Sequence, residues 1–358
     1  MGCFRKLLKY GLLCTIFGMM GSSVVSPSDA QELKTINFMG TNEKSCGNYP
    51  QFILQEFGFL EKEGYQVNLL ATDTTVPYVA FLANGDADLA MLDSGQVLQA
   101  VSTGQAIKVV YEAQQFGPEG VYAPADGPVQ SLADLRGKIV GLPSDRDLII
   151  ATIALESAGV GIDEVETVVV GDSGPVLVKS LQDGTVHAVI AAPVDRAIIE
   201  TSGVALRDLT PPEVSYVPGN SLAVWEPTLE EKRPLILAFL RSWAKGQRAG
   251  VLDSKAVMSA CKKRAPEQWE RPGNGERVLN NSIYTTSLSR TMKMGEPQPD
   301  VWARIQAPYV RLKEIDKEID TATFLEPSFI AEVNDFTTDD VKAGINKFRE
   351  ANADILIP

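Results

Sequence analysis

The sequence predicts an α/β protein of two lobes, each a mostly parallel sheet flanked by helices, followed by a helical C-terminal region. From residue 35 to about residue 209, short β-branched or aliphatic runs alternate with amphipathic helical patterns, as in βαβ units. About 330 residues follow the N-terminal leader described below, more than one hydrophobic core usually serves. Beyond Val251 strand patterns almost disappear, so the rest of the chain is expected to be mainly helical.

Seven segments have the composition of buried strands, which in parallel sheets are covered on both faces. They are "TINF" (35–38), "YQVNLL" (65–70), "DLAML" (88–92), "IKVVYE" (107–112), "KIVGL" (138–142), "VETVVV" (165–170) and "HAVIAA" (187–192). Four segments between them have helical periodicity: "PYVAFLANG" (77–85), "SGQVLQAVSTG" (94–104), "DLIIATIALESAG" (147–159) and "PVLVKSLQDG" (175–184). The last of these opens at Pro175 and ends at Gly184, residue types favoured at a helix start and at a left-handed C-cap.

The first thirty residues have the pattern of a secretory signal peptide. Arg5, Lys6 and Lys9 precede the apolar run "GLLCTIFGMM", and small residues lead to Ala30, after which cleavage is expected. We therefore expect an exported protein. No later segment reaches the roughly 18 unbroken apolar residues of a membrane helix, so membrane insertion is not expected.

The charge balance argues against nucleic acid as a partner. Residues 1–30 carry three basic side chains and one acidic side chain, so removing them changes the net charge from −13 to −15. Such an acidic chain repels phosphate backbones, and no compensating Lys/Arg stripe is present.

Two cysteines, Cys46 and Cys261, follow the leader. In an oxidising compartment they can form one disulfide, or both can be small buried thiols. The sequence leaves both alternatives open.

Four predicted strand ends lead into polar helix starts: "DSGQ" (93–96), "SDRD" (144–147), "DSGP" (172–175) and "PVDR" (193–196). Asp93, Ser144, Asp172 and Asp195 are predicted N-caps, each able to accept hydrogen bonds from the first-turn amides. The carboxyl ends of strands are also where α/β sheets bind ligands, so these four side chains and Ser94 are candidate ligand contacts. Capping and ligand contact are compatible.

The junction "GLPSDRDLI" (141–149) illustrates the alternatives. Ser144 is predicted to cap the helix, with Asp147 as the acidic member of a capping box and Asp145 complementing the helix dipole. Asp145 and Asp147 lie two residues apart and would point in different directions on a helix, which argues against a catalytic carboxylate pair. Ser144 and Arg146 are the candidate ligand contacts here.

Three segments resemble one protein family. They are "FLANGDADLAMLDSGQVLQAVSTGQAIKVV" (81–110), "SLADLRGKIVGLP" (131–143) and "VKSLQDGTVHAVIAAP" (178–193). In order and spacing they are similar to the type II periplasmic binding proteins, in the branch that binds nitrate, sulfonates, taurine and thiamine-pyrimidine precursors. His187, the only histidine, stands where that family usually has aspartate. We interpret it as a solvent-facing substitution, because a lone histidine has no evident partner for a ligand role.

The resemblance implies two lobes that close on a small-molecule ligand. It places residues 31–117 and 225–358 in lobe I and residues 118–224 in lobe II. It further implies a periplasmic, monomeric component of an ABC importer that delivers its ligand to permease subunits and needs no cofactor or metal. The ligand would be a small polar nitrogen- or sulfur-containing nutrient, such as a thiamine-pyrimidine precursor or a sulfonate-like compound.

Three further candidates follow from the resemblance. The family uses the loop after its first strand to contact ligand, and here that loop is "TNEKSCGNYP" (41–50). Asn48 and Tyr49 are therefore predicted ligand contacts, with packing of Tyr49 on the next helix as the alternative. Trp225 falls where the chain should recross between lobes. It either stacks on a flat ligand or fills the hinge core.

Enzymatic interpretations have less support. With a single histidine, a Ser-His-Asp or Cys-His arrangement would have to use His187, and nothing places it beside a nucleophile. The phosphate-binding motifs G-x-x-x-x-G-K-[ST] and G-x-G-x-x-G after a strand do not occur. The alternatives to solute binding are an enzyme on the same scaffold, similar to a pyrimidine-precursor synthase, and a ligand-presenting subunit of a membrane sensor.

The charges at the junctions indicate the ligand class. Helix N-termini attract anions, yet aspartates already stand at positions 93, 145, 147, 172 and 195. Arg146 and Lys44 are the evident positive groups. We therefore expect a neutral, zwitterionic or amine-bearing ligand rather than a simple inorganic anion.

Overall fold

The computed structural model describes residues 32–70, 77–171 and 174–357. The predicted signal peptide and Asp172 lie outside the described residues. In chain order the strands are β1 (Lys34–Met39), β2 (Tyr65–Leu69), β3 (Leu89–Leu92), β4 (Ile107–Glu112), β5 (Gly120–Pro124), β6 (Ile139–Leu142), β7 (Glu166–Val169), β8 (Ala188–Ala191), β9 (Leu206–Asp208) and β10 (Ser221–Trp225).

The α-helices of the described residues extend over most of the C-terminal third as well as the strand connections. They are α1 (Pro50–Glu56), α2 (Phe59–Lys62), α3 (Tyr78–Asn84), α4 (Ser94–Ser102), α5 (Leu148–Ser157), α6 (Gly174–Gln182), α7 (Pro193–Thr201), α8 (Pro212–Ser215), α9 (Leu229–Leu252), α10 (Ser254–Arg264), α11 (Asn274–Ser287), α12 (Pro299–Arg311), α13 (Ile330–Val333) and α14 (Thr338–Ala351). Short 3-10 turns precede α1 at Cys46–Asn48 and α5 at Asp145–Asp147.

The strands form two five-stranded sheets, in the orders β2-β1-β3-β10-β4 and β7-β6-β8-β5-β9. We call the first sheet with its helices lobe I and the second sheet with its helices lobe II. In lobe I, β10 is antiparallel to both of its neighbours; in lobe II, β5 is antiparallel to both of its neighbours. One strand of each sheet therefore runs against the other four, and the prediction of two mostly parallel sheets is confirmed.

All seven predicted strands and all four predicted helices are present. Gly184 has the predicted left-handed conformation, with φ 71°. The strands that the sequence did not predict are β5, β9 and β10. Neither β5 nor β10 belongs to a regular strand-helix-strand unit, because each directly follows a segment that passes between the sheets.

Two segments connect the sheets. The chain leaves lobe I after Glu112 and enters lobe II at Gly120; it leaves lobe II after Asp208 and returns to lobe I at Ser221. We call residues 113–119 the first crossing and residues 209–220 the second crossing. The lobe boundaries predicted from the sequence, 117/118 and 224/225, stay a prediction.

Each lobe buries its own apolar side chains. In lobe I, Phe38 of β1 contacts Phe239 and Trp243 of α9, with ring centroids 4.8 and 5.8 Å apart. In lobe II, Leu177 of α6 and Ile199 of α7 are fully buried. A further buried cluster continues from lobe I into lobe II and includes residues of α12 and α5, so the lobes are packed against each other.

Cys46 and Cys261 form a disulfide, with their Cα atoms 6.0 Å apart. Both residues are fully buried, and the Cys46 amide donates to Gln268 Oε1 at 2.6 Å. The bridge holds the turn before α1 against α10. The sequence left open a disulfide or two buried thiols, and the structure has the disulfide.

None of the helices in the described ranges has both the length and the apolar character that a bilayer crossing requires.

Removing the disulfide should lower the stability of the fold. Because the bridge links positions 215 residues apart, its loss frees a long loop in the unfolded chain, and Cys46→Ser with Cys261→Ser should cost about 2–5 kcal/mol of unfolding free energy. Urea unfolding measures the change. Reductant should lower the midpoint of the native protein and leave the double variant unchanged; equal midpoints for native protein and variant without reductant would contradict the prediction.

Candidate functional site

The first junction of the candidate site is the end of β3. Asp93 caps α4: its Oδ1 accepts from the Gln96 amide at 2.8 Å, and Gln96 Oε1 accepts from the Asp93 amide at 3.0 Å. The predicted N-cap is confirmed as a full capping box. The carboxylate is thereby fixed at the carboxyl edge of the lobe I sheet.

The second junction follows β6 in lobe II. Asp147 Oδ2 accepts from the Ser144 amide at 2.9 Å and from Ser144 Oγ at 2.8 Å. The predicted capping box of Ser144 and Asp147 is confirmed. The turn between them holds Arg146 outward from the edge of the sheet.

An ion pair joins the two junctions across the cleft. Arg146 Nη1 donates to Asp93 Oδ2 at 2.6 Å, and both side chains are partly exposed. Asp93 belongs to lobe I and Arg146 to lobe II, so this contact requires the lobes to be close together. The structure therefore brings together two of the residues that the sequence nominated separately.

Glu119, in the first crossing, adds a second carboxylate that the sequence analysis missed. Its pKa is raised to about 7, mainly by burial and in part by the negative charges of Asp147 and Asp93, while a hydrogen bond from its own backbone amide and the charge of Arg146 oppose the shift. Its position in "FGPEG", just before the second lobe, was the available signal. Glu119 is half-buried by exposed area.

Ser94 and Tyr309 complete the lobe I side. Ser94 is buried, and its Oγ lies 3.3 Å from the Tyr309 hydroxyl. Tyr309 comes from α12, and burial raises its pKa, with Asp93 and Glu119 adding to the shift. No sequence pattern near residue 309 indicated this role.

We call Asp93, Glu119, Arg146 and Asp147 the cleft cluster. It holds three carboxylates and one guanidinium. Burial also raises the pKa of Asp147, against the hydrogen bonds from Ser144 and the charge of Arg146. Partly desolvated carboxylates with one counter-charge favour a positively charged or hydrogen-bond-donating group and disfavour an additional anion.

The loop after β1 supplies uncharged polar groups. Gln51, only 2% exposed, accepts through Oε1 from the amide and hydroxyl of Thr41, each at 3.2 Å. Asn48 Nδ2 donates to Thr41 Oγ1 at 3.2 Å. Gln51 Nε2 and Asn48 Oδ1 are buried without a hydrogen-bond partner. A donor in the first turn of α1, on Gln51, and an acceptor in the turn before it, on Asn48, are thus available. Ligand contact by Asn48 stays a prediction.

Tyr49 does not lie in the cleft. It is fully buried, and its hydroxyl donates to the Gln247 carbonyl at 2.8 Å, within the core of lobe I. Of the two alternatives for Tyr49, ligand contact or packing on the next helix, its burial in the core favours packing, and Tyr49 is not part of the candidate site.

Trp225 does not lie beside the cleft cluster either. Because β10 is antiparallel to its neighbours, its first residue, Ser221, pairs with Leu92 at the cleft edge, whereas Trp225 pairs with Ile107 at the opposite edge. Four residues of strand separate the two ends, roughly 13 Å. Trp225 is partly buried against the core and far from the cleft cluster.

Asp195 is not an N-cap, since α7 begins at Pro193 and the cap position is Ala192. It lies in the first turn and is buried, where a carboxylate is favourable to the helix dipole. The start of α7 faces the loop after β1: a Cβ built on Gly47 would lie 3.3 Å from Val194 Cγ2. Asp195 stays a candidate, and Asp172 lies outside the described residues.

No catalytic constellation is assembled from the described residues of the cleft. His187 is half-buried at the opposite edge of the lobe II sheet, where its Nδ1 accepts from the Ile139 amide at 3.3 Å, so the expected solvent-facing position is only partly correct. Cys46 and Cys261 are bonded to each other. Within the described ranges, no group of three or more His, Cys, Asp or Glu side chains is arranged to hold a metal ion.

Comparison with known proteins gives a family and a fold. The family model described as "NMT1/THI5 like" matches residues 49–251. No curated protein matches the sequence. Among solved structures, the periplasmic aliphatic sulphonate binding protein SsuA from Escherichia coli has a TM-score of 0.67 at 14% identity, over 82% of this chain and 93% of that chain.

Two further structures have the same fold. The alkanesulfonate-binding protein SsuA from Xanthomonas axonopodis pv. citri, bound to MOPS, has a TM-score of 0.62 at 13% identity, over 84% of this chain and 100% of that one. The desulfurization enzyme DSZB has a TM-score of 0.58 at 13% identity, over 88% and 100%. At these identities the likeness shows a shared two-lobed α/β fold, which hosts both binding proteins and an enzyme.

Breaking the ion pair across the cleft should favour an open arrangement. Asp93→Asn keeps a good N-cap but removes the charge, and a partly exposed pair contributes at most about 1 kcal/mol, so the open fraction should rise by up to about fivefold. Small-angle X-ray scattering would record a larger radius of gyration. The matched control is Glu164→Gln, which removes the charge of the Arg136 partner within lobe II, at 3.0 Å and similar exposure. Equal effects of the two variants would contradict the assignment.

Glu119 should make stability fall between acidic and neutral pH. Its pKa rises from 4.5 to about 7 on folding, so its stabilising contribution is complete below about 4.5 and is lost as pH rises through about 7. Urea unfolding measures the unfolding free energies of the native protein and of Glu119→Gln over this pH range. The difference between the two free energies should grow as pH rises toward 7 and should be constant above it. Glu112, whose burial also raises its pKa to about 7, is present in both proteins, so it cancels in the difference. A pH-independent difference would contradict the prediction.

Proposed function

The chain belongs to the NMT1/THI5-like family, and we propose that it is the solute-binding component of an ABC importer. It captures a small polar organic molecule in the cleft between its lobes and releases it to permease subunits. The observation that carries the proposal is the ion pair between Asp93 and Arg146, because it brings ligand-accessible strand ends of both lobes to one place. Binding by closure requires such a meeting point.

The fold supports the same role. The carboxyl ends of β3 in lobe I and β6 in lobe II lead into the cleft cluster, and strand carboxyl ends are where open α/β sheets hold ligands. The likeness to two sulfonate-binding proteins extends over nearly the whole length of each, so the architecture that they use for binding is present here. We also propose that the protein is exported to the periplasm and is a monomer.

We infer that the ligand carries an amine or another group rich in hydrogen-bond donors. The cleft cluster has three carboxylates for one guanidinium, so a positive group on the ligand would offset the uncompensated charge. The free donor on Gln51 and the free acceptor on Asn48 suit the polar edge of a nitrogen heterocycle. A hydroxymethyl aminopyrimidine combines these features, and a bare oxyanion has none of them.

An enzyme on the same scaffold is the second candidate, favoured by the likeness to the desulfurization enzyme. Such an enzyme would have to work without a histidine base or a free cysteine nucleophile from the described residues of the cleft. His187 lies at the far edge of lobe II, and both cysteines of the described residues are bonded. Mass analysis of the ligand before and after incubation distinguishes the two candidates, since a binding protein returns its ligand unaltered.

Calorimetry tests the proposed ligand class. A hydroxymethyl aminopyrimidine should bind more tightly than ethanesulfonate, and nitrate should not compete with it. Glu119→Gln should weaken its binding roughly tenfold, which corresponds to losing one charge-assisted contact of about 1.4 kcal/mol. Glu164→Gln, a charge-neutralised carboxylate outside the cleft, should leave binding unchanged. Tight nitrate or sulfonate binding would overturn the ligand class, and an altered compound would overturn the binding function itself.

A further inference from the structure

A concave site lies away from the cleft cluster. It is a groove of about 470 Å³ between α5 of lobe II, α12 of lobe I and the second crossing around α8. None of its lining residues belongs to the strand-end junctions of the cleft. We call it the α5–α12 groove. Its volume falls within the range of small-molecule sites, and its location between lobes is a common one for them.

The floor of the groove is apolar. Ile153 from α5, Val217 from the second crossing, and Ile305 and Pro308 from α12 line it. Val217 and Ile305 belong to the buried cluster that continues from one lobe into the other. Tyr216 adds an exposed aromatic face. An aliphatic group of a few carbon atoms would cover this floor.

Charges of both signs stand at the rim. Glu213 on α8 and Arg304 on α12 are exposed, and neither forms an ion pair or a side-chain hydrogen bond with another described residue. The third charged lining residue, Glu156, is already paired with Arg311 across the two lobes. The groove therefore offers one available carboxylate on α8 and one available guanidinium on α12, together with an apolar floor.

We propose that the α5–α12 groove binds a small amphipathic zwitterion, of the class of an α-amino acid with an aliphatic side chain. Arg304 takes the carboxylate, Glu213 takes the ammonium group, and the side chain covers the floor. The walls come from both lobes and from a crossing, so the site is complete only when α5 and α12 are close. Occupancy then stabilises the closed arrangement, and any cleft ligand that favours closure must in turn strengthen binding in the groove.

Three probes that share the isobutyl group and differ in their charged groups test the charge assignment: L-leucine, 4-methylpentanoate and isoamylamine. We expect calorimetry to give the tightest binding for L-leucine. Arg304→Glu should weaken L-leucine roughly tenfold and abolish 4-methylpentanoate, with isoamylamine retained. Glu213→Gln should weaken L-leucine and isoamylamine and spare 4-methylpentanoate. Arg248→Glu, which changes another exposed helical arginine with no ion pair among the described residues, should change none of the three.

Binding in the α5–α12 groove can be tested separately from binding in the cleft. Glu119→Gln should leave direct L-leucine binding within twofold, whereas Ser157→Trp, which places a ring in the groove from an exposed position, should abolish it. The proposal is overturned if L-leucine does not bind below about 10 mM, or if its binding is lost in the Glu119 variant and kept in the Ser157 variant. Unchanged melting temperatures of the surface variants would show that folding is not the cause.

Discussion

The ion pair between Asp93 and Arg146 is the contact on which the cleft depends, because the two side chains meet only when the lobes do. Each partner is fixed locally before they meet: Asp93 caps α4, and Arg146 stands in the turn closed by Ser144 and Asp147. The pair is partly exposed, so its contribution is at most about 1 kcal/mol. Because its partners are well positioned, the ion pair specifies the geometry in which the lobes close. Because it is weak, a ligand can still shift the population of the closed state.

The charge of the cleft follows from that pair. Asp93 already neutralises much of the Arg146 charge, so Glu119 and Asp147 face a partly desolvated environment with little compensation, and both have raised pKa values. An ammonium group bound beside Glu119 would favour its ionised form. Ligand uptake near pH 7 would therefore release a proton from Glu119, which links binding to pH through the same group that lowers the stability of the empty cleft.

What could be predicted from the sequence was local. Asp93 and Ser144 could be assigned as caps because capping involves only residues of the same turn. The parallel strands could be assigned because buried strands are continuous apolar segments of the sequence. The sequence left two alternatives for Trp225 and for Tyr49, because their surroundings depend on strand direction and tertiary packing. The antiparallel direction of β10 places Trp225 at the far edge of the sheet, and the Tyr49 hydroxyl donates to the Gln247 carbonyl in the core. Glu119 and Tyr309 were missed because only the fold brings a crossing and a C-terminal helix to the end of β3.

Helix α12 is the element that physically connects the two proposed sites. Tyr309 contacts Ser94 beside the cleft, Ile305 and Pro308 form part of the groove floor, and Arg311 pairs with Glu156 of lobe II. Since these residues lie within two turns of one helix, α12 cannot move relative to α5 without changing both sites. Two ligands that each favour the same position of α12 are coupled by that shared displacement, and the coupling needs no pathway beyond the helix itself.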